Sequence, residues 1–311
     1  MWRALFVVAW LGCRSTPAPV GYDGPWPLDA PTTPGAGPGG GTVPGLTFAV
    51  VGDTRPANID DTLNYPTAIA QAVWTAMAAD AAKPMFAVTT GDYMFASTNG
   101  TEVDPQLDLY LGARSVFPNI VYPALGNHEC ASSTDSNCGP SGTDGEPPNY
   151  TRFVSRLLGP IGELRPYYVE RFAAADGTWT AKFVFIAANA WSSDQQKWLD
   201  RALAEPTTYT FAVRHEPPES TTAPGVTPST TLLATYPLTM LITGHTHTYR
   251  HVPAYREIIV GNGGAPLSAG PNYGYVTVVL RPDGLLDVNS YDYMTHAAID
   301  SFTIDATGVI H

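Results

Sequence analysis

The residues of this chain that could do chemistry recur in one setting, just after a short apolar run. Leu46 to Val51 leads into Gly52-Asp53-Thr54-Arg55, and Met85 to Thr89 into Gly91-Asp92-Tyr93. Ile120 to Leu125 leads into Gly126-Asn127-His128-Glu129. Thr210 to Val213 ends in Arg214-His215, and Leu241 to Thr243 in Gly244-His245-Thr246-His247. Four of the seven histidines, His128, His215, His245 and His247, stand at such ends. Singly, each residue has an ordinary explanation. An Asp after a strand caps a turn or helix, Asn127 can hold a turn, His215 can be a core histidine, and His245 and His247 a loop pair. Together, two carboxylates, one amide oxygen and three imidazoles form a mixed nitrogen and oxygen donor set suited to divalent transition metals.

Such a set fits phosphate chemistry. Two cations roughly 3.5–4 Å apart can grip phosphoryl oxygens, lower the pKa of a water towards about 7 and orient its in-line attack. A shared carboxylate bridges them. A neutral amide adds a donor without charge, which leaves the pair positive towards an anionic substrate. A nearby imidazole can then serve the leaving oxygen.

The elements that must position these residues are legible from apolar patterning. The runs named above, together with Phe183 to Ala188, read as buried strands. Helical spacing appears over Thr67 to Ala82, Asn149 to Leu158 and Asp194 to Ala204. Strand and helix alternation predicts an α/β domain. After His247, the segments Glu257 to Val260, Tyr275 to Leu280 and Leu285 to Ser290 read as strands without intervening helices. They are expected to add antiparallel strands to a second sheet, giving a two-sheet sandwich with helices outside. The Pro-rich segment Glu216 to Ser229 reads as a long surface loop. It and Ala131 to Tyr150 are the segments expected to contact substrate.

The order GD, GD, GNHE, strand-end His and GHTH, over Leu46 to Thr248, resembles the signature of the calcineurin-like metallophosphoesterase superfamily. GNHE, Tyr249 after the last histidine, and Gly261-Asn262-Gly263-Gly264 after a later strand resemble its purple-acid-phosphatase branch. Gln195, Gln196, Trp198 and Leu199 match a recurrent helix of the superfamily. The resemblance implies a four-layer αββα fold, a phosphate mono- or diester substrate and two metal ions, drawn from Fe, Mn or Zn. By the same resemblance Asp92 bridges both ions, Asp53 and His247 hold the first, and Asn127, His215 and His245 hold the second. His128 assists the leaving group, with Glu129 orienting it. Two departures stand out. Where most members carry a histidine two residues after the first aspartate, this chain has Arg55, which stays protonated and cannot ligate a cation. Where purple acid phosphatases place a tyrosine, three residues beyond the bridging aspartate, it has Phe95. A weaker first metal site is expected, with no tyrosinate-to-iron colour. Arg55 is assigned either to substrate phosphate, through its planar fork, or to a salt bridge with a neighbouring acid. The alternative to an enzyme is a lipoprotein that keeps the fold, has lost a metal and binds a phosphorylated ligand.

The N-terminus reads as an export signal over residues 1–13: Met1, Trp2, Arg3, an apolar run from Ala4 to Leu11, then Gly12-Cys13. The run is too short to span a bilayer. Cys13 is a candidate lipidation site, which would place the chain on a bacterial membrane; otherwise it is secreted or periplasmic. Residues 14–45, rich in Pro and Gly, read as a tether to a domain over 46–311. Cys130 and Cys138 flank a polar loop and suit a local disulfide in an oxidising compartment. With 28 acidic against 16 basic residues and a net charge of −12, no nucleic-acid partner is expected. Oligomeric state is not encoded in these patterns.

Overall fold

The computed structural model describes residues 35–220 and 222–311. The signal segment, Cys13 and most of the tether lie outside the described residues. The strands in chain order are β1 (Gly40–Val43), β2 (Thr47–Val51), β3 (Phe86–Thr89), β4 (Ile120–Pro123), β5 (Tyr168–Ala174), β6 (Thr180–Ile186) and β7 (Tyr209–Arg214). They continue with β8 (Met240–Thr243), β9 (Tyr249–Val252), β10 (Glu257–Val260), β11 (Gly274–Leu280), β12 (Leu286–Asp292) and β13 (Ala298–Ile304). Helices are α1 (Thr67–Ala79), α2 (Val103–Arg114), α3 (Pro148–Phe153), α4 (Ser193–Ala204) and α5 (Val226–Leu233).

These strands make two sheets, ordered β13-β12-β11-β2-β3-β4 and β1-β5-β6-β7-β8-β10-β9. The first sheet is parallel across β2, β3 and β4, and the second across β6, β7, β8 and β10. Strand alternation gives each sheet an inner face, and here it is aromatic. Phe86 stacks on Phe172 with centroids 4.4 Å apart, and Phe183 on Phe211 at 4.6 Å. Phe48 meets the edge of Phe183 at 4.8 Å. Each such pair contributes about 0.5–1.5 kcal/mol beyond its buried area, and the Phe86–Phe172 and Phe48–Phe183 pairs lock one sheet to the other.

The outer faces carry helices. Val184 and Ile186 of β6, one residue out of step with Phe183 and Phe185, pack with Trp198, Leu199 and Leu203 of α4. Ser192 starts that helix by accepting from the Gln195 amide at 3.1 Å, a cap whose loss costs about 1 kcal/mol. On the other side α1 buries Val73, Trp74 and Met77, and packs beside α2 and β11. The result is the expected α/β sandwich with helices outside both sheets.

Three expectations need correction. The tether does not extend to residue 45, because β1 is buried and pairs in parallel with β5. Its composition misleads because the strand lies against its neighbour: a Cβ on Gly40 would sit 1.8 Å from the Arg171 carbonyl oxygen. Glu257 to Val260 does not join the strands that follow it; β10 pairs in parallel with β8 and antiparallel with β9 in the other sheet. Only β11, β12 and β13 form the antiparallel extension beside β2. Finally, Glu216 to Ser229 is not loop throughout, since α5 begins at Val226. Buried Arg214 fastens it, donating to the Val226 carbonyl, Ser229 Oγ and Thr230 Oγ1.

Candidate metal centre

Both sheets present their parallel strand ends to one place, the usual position for ligand sites in α/β folds. Asp53, Asp92 and Asn127 follow β2, β3 and β4 of one sheet, while His215, His245 and His247 follow β7 and β8 of the other. The structure brings all six together around Asp92. His215 Nε2 lies 3.2 Å from Asp92 Oδ1, 3.2 Å from Asn127 Oδ1 and 3.2 Å from His245 Nδ1. His247 Nε2 lies 3.5 Å from Asp53 Oδ1, and the His245 amide donates to both Asp53 oxygens at 3.0 and 3.1 Å.

Backbone contacts aim the rings. His215 Nδ1 donates to the Thr90 carbonyl at 2.8 Å and His247 Nδ1 to the Pro266 carbonyl at 2.9 Å, so each Nε2 faces the cluster. The loops are strained to do this. Asp53, Asp92, His245 and His247 have φ of 57°, 60°, 69° and 44°, in the left-handed region that non-glycine residues seldom enter. Gly126 is fixed for steric reasons: a Cβ there would lie 2.3 Å from Asp92 Oδ1 and 2.6 Å from the Asp92 nitrogen.

The electrostatics are those of a cluster that demands positive charge. Burial, aided by the neighbouring Asp92 carboxylate and opposed by His215, pushes Asp53 up to about 8. Burial also opposes ionisation of Asp92, but His128, His215 and Arg55 outweigh it and hold that carboxyl well below its usual range. Burial would neutralise His215, yet Asp92 keeps it protonated well above the ordinary imidazole value. Burial holds His245 down to about 4 and His128 to about 3, and lowers His247. A proton on His215 thus stands in for positive charge among buried carboxylates. A divalent cation would supply it better, and the donor set fits one. Two buried polar atoms at the centre, His128 Nδ1 and Arg55 Nε, also lack hydrogen-bond partners.

Around the six donors the structure sorts the remaining residues. His128 Nε2 is 3.6 Å from Asp92 Oδ2, facing the same point without being needed to enclose it. Arg55 Nε is 3.5 Å from that oxygen, and its Nη1 donates to the Pro56 carbonyl at 2.8 Å. Phe95 carries both: the Arg55 guanidinium lies 4.7 Å above its ring, and the His128 ring meets it edge-on at 4.3 Å. Tyr93 points into the core, bonding Thr89 Oγ1 at 2.7 Å and the Ala124 carbonyl at 2.9 Å.

Glu129 does not orient His128. Its buried carboxylate accepts from the amides of Asp92 and Gly126 at one oxygen and of Tyr93 and Met94 at the other, at 2.8, 3.0, 2.8 and 3.3 Å. Burial and Asp92 push it up to about 7 against those bonds. It therefore holds the backbone of the Asp92 loop, a role that no sequence spacing announces. His128 is held instead through its carbonyl, which accepts from Asn149 Nδ2 at 3.1 Å. The Cys130–Cys138 disulfide forms, closing the loop after GNHE. A separate cavity of about 590 Å³, walled by Tyr150, Trp191 and Trp198, shares none of the six donors.

Two-sheet architecture and a six-donor cluster at the strand ends together define a metallophosphoesterase class. The chain belongs to the calcineurin-like phosphoesterase family, whose model matches residues 46–249. Its fold is similar to a purple acid phosphatase from yellow lupin (Lupinus luteus) seeds, with 14% identity and a TM-score of 0.60, over 84% of this chain and 53% of that one. A putative 5′-nucleotidase from Staphylococcus aureus matches at 14% identity and a TM-score of 0.45, over 84% of this chain and 54% of that one. The chain thus spans about half the length of either, and at 14% identity the likeness to the lupin enzyme is one of fold. No curated protein matches the chain in sequence.

Proposed function

We propose that this chain hydrolyses a phosphate mono- or diester by attack of water, using two metal ions held by Asp53, Asp92, Asn127, His215, His245 and His247. The observation that carries the proposal is the gathering of those donors around Asp92, with His215 against its Oδ1 and His128 facing its other oxygen, Oδ2, from outside the set. When bound, the ions would polarise the phosphoryl oxygens and activate the attacking water. The chain's own residues do the rest. Arg55 offers a planar fork of donors to the phosphate oxygens. His128, kept neutral by burial, offers an Nε2–H for hydrogen bonding to the leaving oxygen. Phe95 keeps those two side chains adjacent.

Arg55 motivates a second reading. Its guanidinium already lies against the candidate bridging carboxylate, which favours a metal-depleted protein that only binds a phosphorylated ligand. One experiment separates the readings: metal content per chain, together with turnover of a chromogenic phosphomonoester and a phosphodiester, for the wild type and His128→Ala. The enzyme reading expects metal in both proteins and a loss of roughly 10²–10⁴-fold in kcat in the variant. Phosphate binding without turnover, after Mn, Zn or Fe is added back, would establish the binding module instead.

We further propose export with a lipid on Cys13. Among the described residues no helix is long and apolar enough to cross a membrane. Expressed in a bacterial host, the wild type should partition with membranes and Cys13→Ser should not. Equal partitioning would remove the anchor.

A further inference from the structure

Glu216 follows His215 at the end of β7, and its side chain is fully buried. Neither of its carboxylate oxygens has a hydrogen-bond partner. One of them lies with a ring nitrogen of His215 and one of His245 in a group whose ligand atoms are all within 4.8 Å of one another. A buried carboxylate without a partner is costly, and such groups persist where they pair with a charge or coordinate a metal. The preceding Arg214 makes no hydrogen bond to the carboxylate: its Nε donates to the Glu216 backbone carbonyl at 2.7 Å, its Nη1 is occupied by Val226, Ser229 and Thr230, and its buried Nη2 has no hydrogen-bond partner.

We infer that Glu216 is a ligand, or the anchor of a ligand water, for a divalent transition ion held with His215 and His245. This inference rests on the metal-dependent reading above and adds an anionic donor to it. It makes the centre lopsided. One side gains a second carboxylate beside Asp92, Asn127 and two imidazoles, a set suited to Mn, Fe or Zn. The other side, Asp53 and His247, has the permanent charge of Arg55 beside the shared Asp92 and no added donor. The chain should therefore bind one ion tightly and a second weakly.

The test uses the full chain stripped of metal, titrated with Zn or Mn against a chromogenic chelator, for the wild type, Glu216→Gln and Glu216→Ala. The expected result is a tight-site Kd weakened about tenfold or more in both variants, with the unfolding midpoint in chelator unchanged or raised. A Kd unchanged within about twofold overturns the inference. So does a fall of several degrees in the chelator midpoint that accompanies the weaker Kd, because it shows a structural carboxylate. Should the variants not fold, anomalous scattering from Mn-loaded wild-type crystals decides. A peak about 2.2 Å from the Glu216 carboxylate, or bridged to it by one water, supports the assignment, and a peak remote from it removes the assignment. Metal binding that depends on Glu216 without ester turnover would sink the phosphoesterase proposal and leave this inference standing. A wild type that binds no metal would overturn it whatever the esters do.

Discussion

Glu129→Gln removes one negative charge and one acceptor from a side chain that lies beneath the Asp92 loop. Each carboxylate oxygen takes two amides, Asp92 and Gly126 on one side, Tyr93 and Met94 on the other. Whichever way the amide group turns, its NH2 faces two backbone N–H donors with nothing to offer them. Two hydrogen bonds to a buried charged group are lost, at about 1.5 kcal/mol each, so the substitution should cost about 3 kcal/mol. For a domain of this size that corresponds to a fall of roughly 6–12 °C in Tm. Metal affinity should fall with it, since Asp92 sits at φ 60° and depends on this support. The assay is thermal unfolding in chelator, followed by metal titration at a temperature where both proteins are folded. A Tm within about 2 °C of the wild type, combined with a loss of turnover, would refute the account and return Glu129 to orienting His128.

Arg55→Ala should raise KM for a phosphate ester roughly tenfold with a smaller change in kcat, and Arg55→Lys should recover only part of it because the planar fork is gone. An unchanged KM with tighter metal binding would show that Arg55 serves only Asp92. Reduction of the Cys130–Cys138 disulfide, which closes a loop of separation 8, should cost about 2 kcal/mol of stability. Thermal scans with and without reductant, with free thiols counted, check this; a midpoint unmoved by complete reduction would contradict it.

The cluster was legible because buried parallel strands are unbroken apolar runs, and the polar residue after each run has little choice of place. That is why Asp53, Asp92, Asn127, His215, His245 and His247 could be named from spacing and prove to meet in space. Elements that mix functions with structure were harder. β5 carries Glu170 and Arg171 in its middle, breaking the apolar run, and β13 is an exposed edge strand. α2 and α5 hide behind Pro105 and Pro228, which the first turn of a helix tolerates. Glu129 and Glu216 were beyond pattern for another reason. A carboxylate beside a histidine looks the same whether it clamps four amides or points at a neighbouring ring, and only tertiary packing decides.

The split origin of the donors has a mechanical consequence. Asp53 and His245 touch across 192 residues of chain, and they hang from different sheets. An ion gripping both would act as a cross-link between the sheets at their carboxyl ends, tying local opening of the sandwich to its own release. Amide hydrogen exchange at the ends of β2, β3, β7 and β8 should then slow in step as metal is added, while β12 and β13, at the far edge, keep their apo rates. The sandwich would breathe only where no ion clasps it.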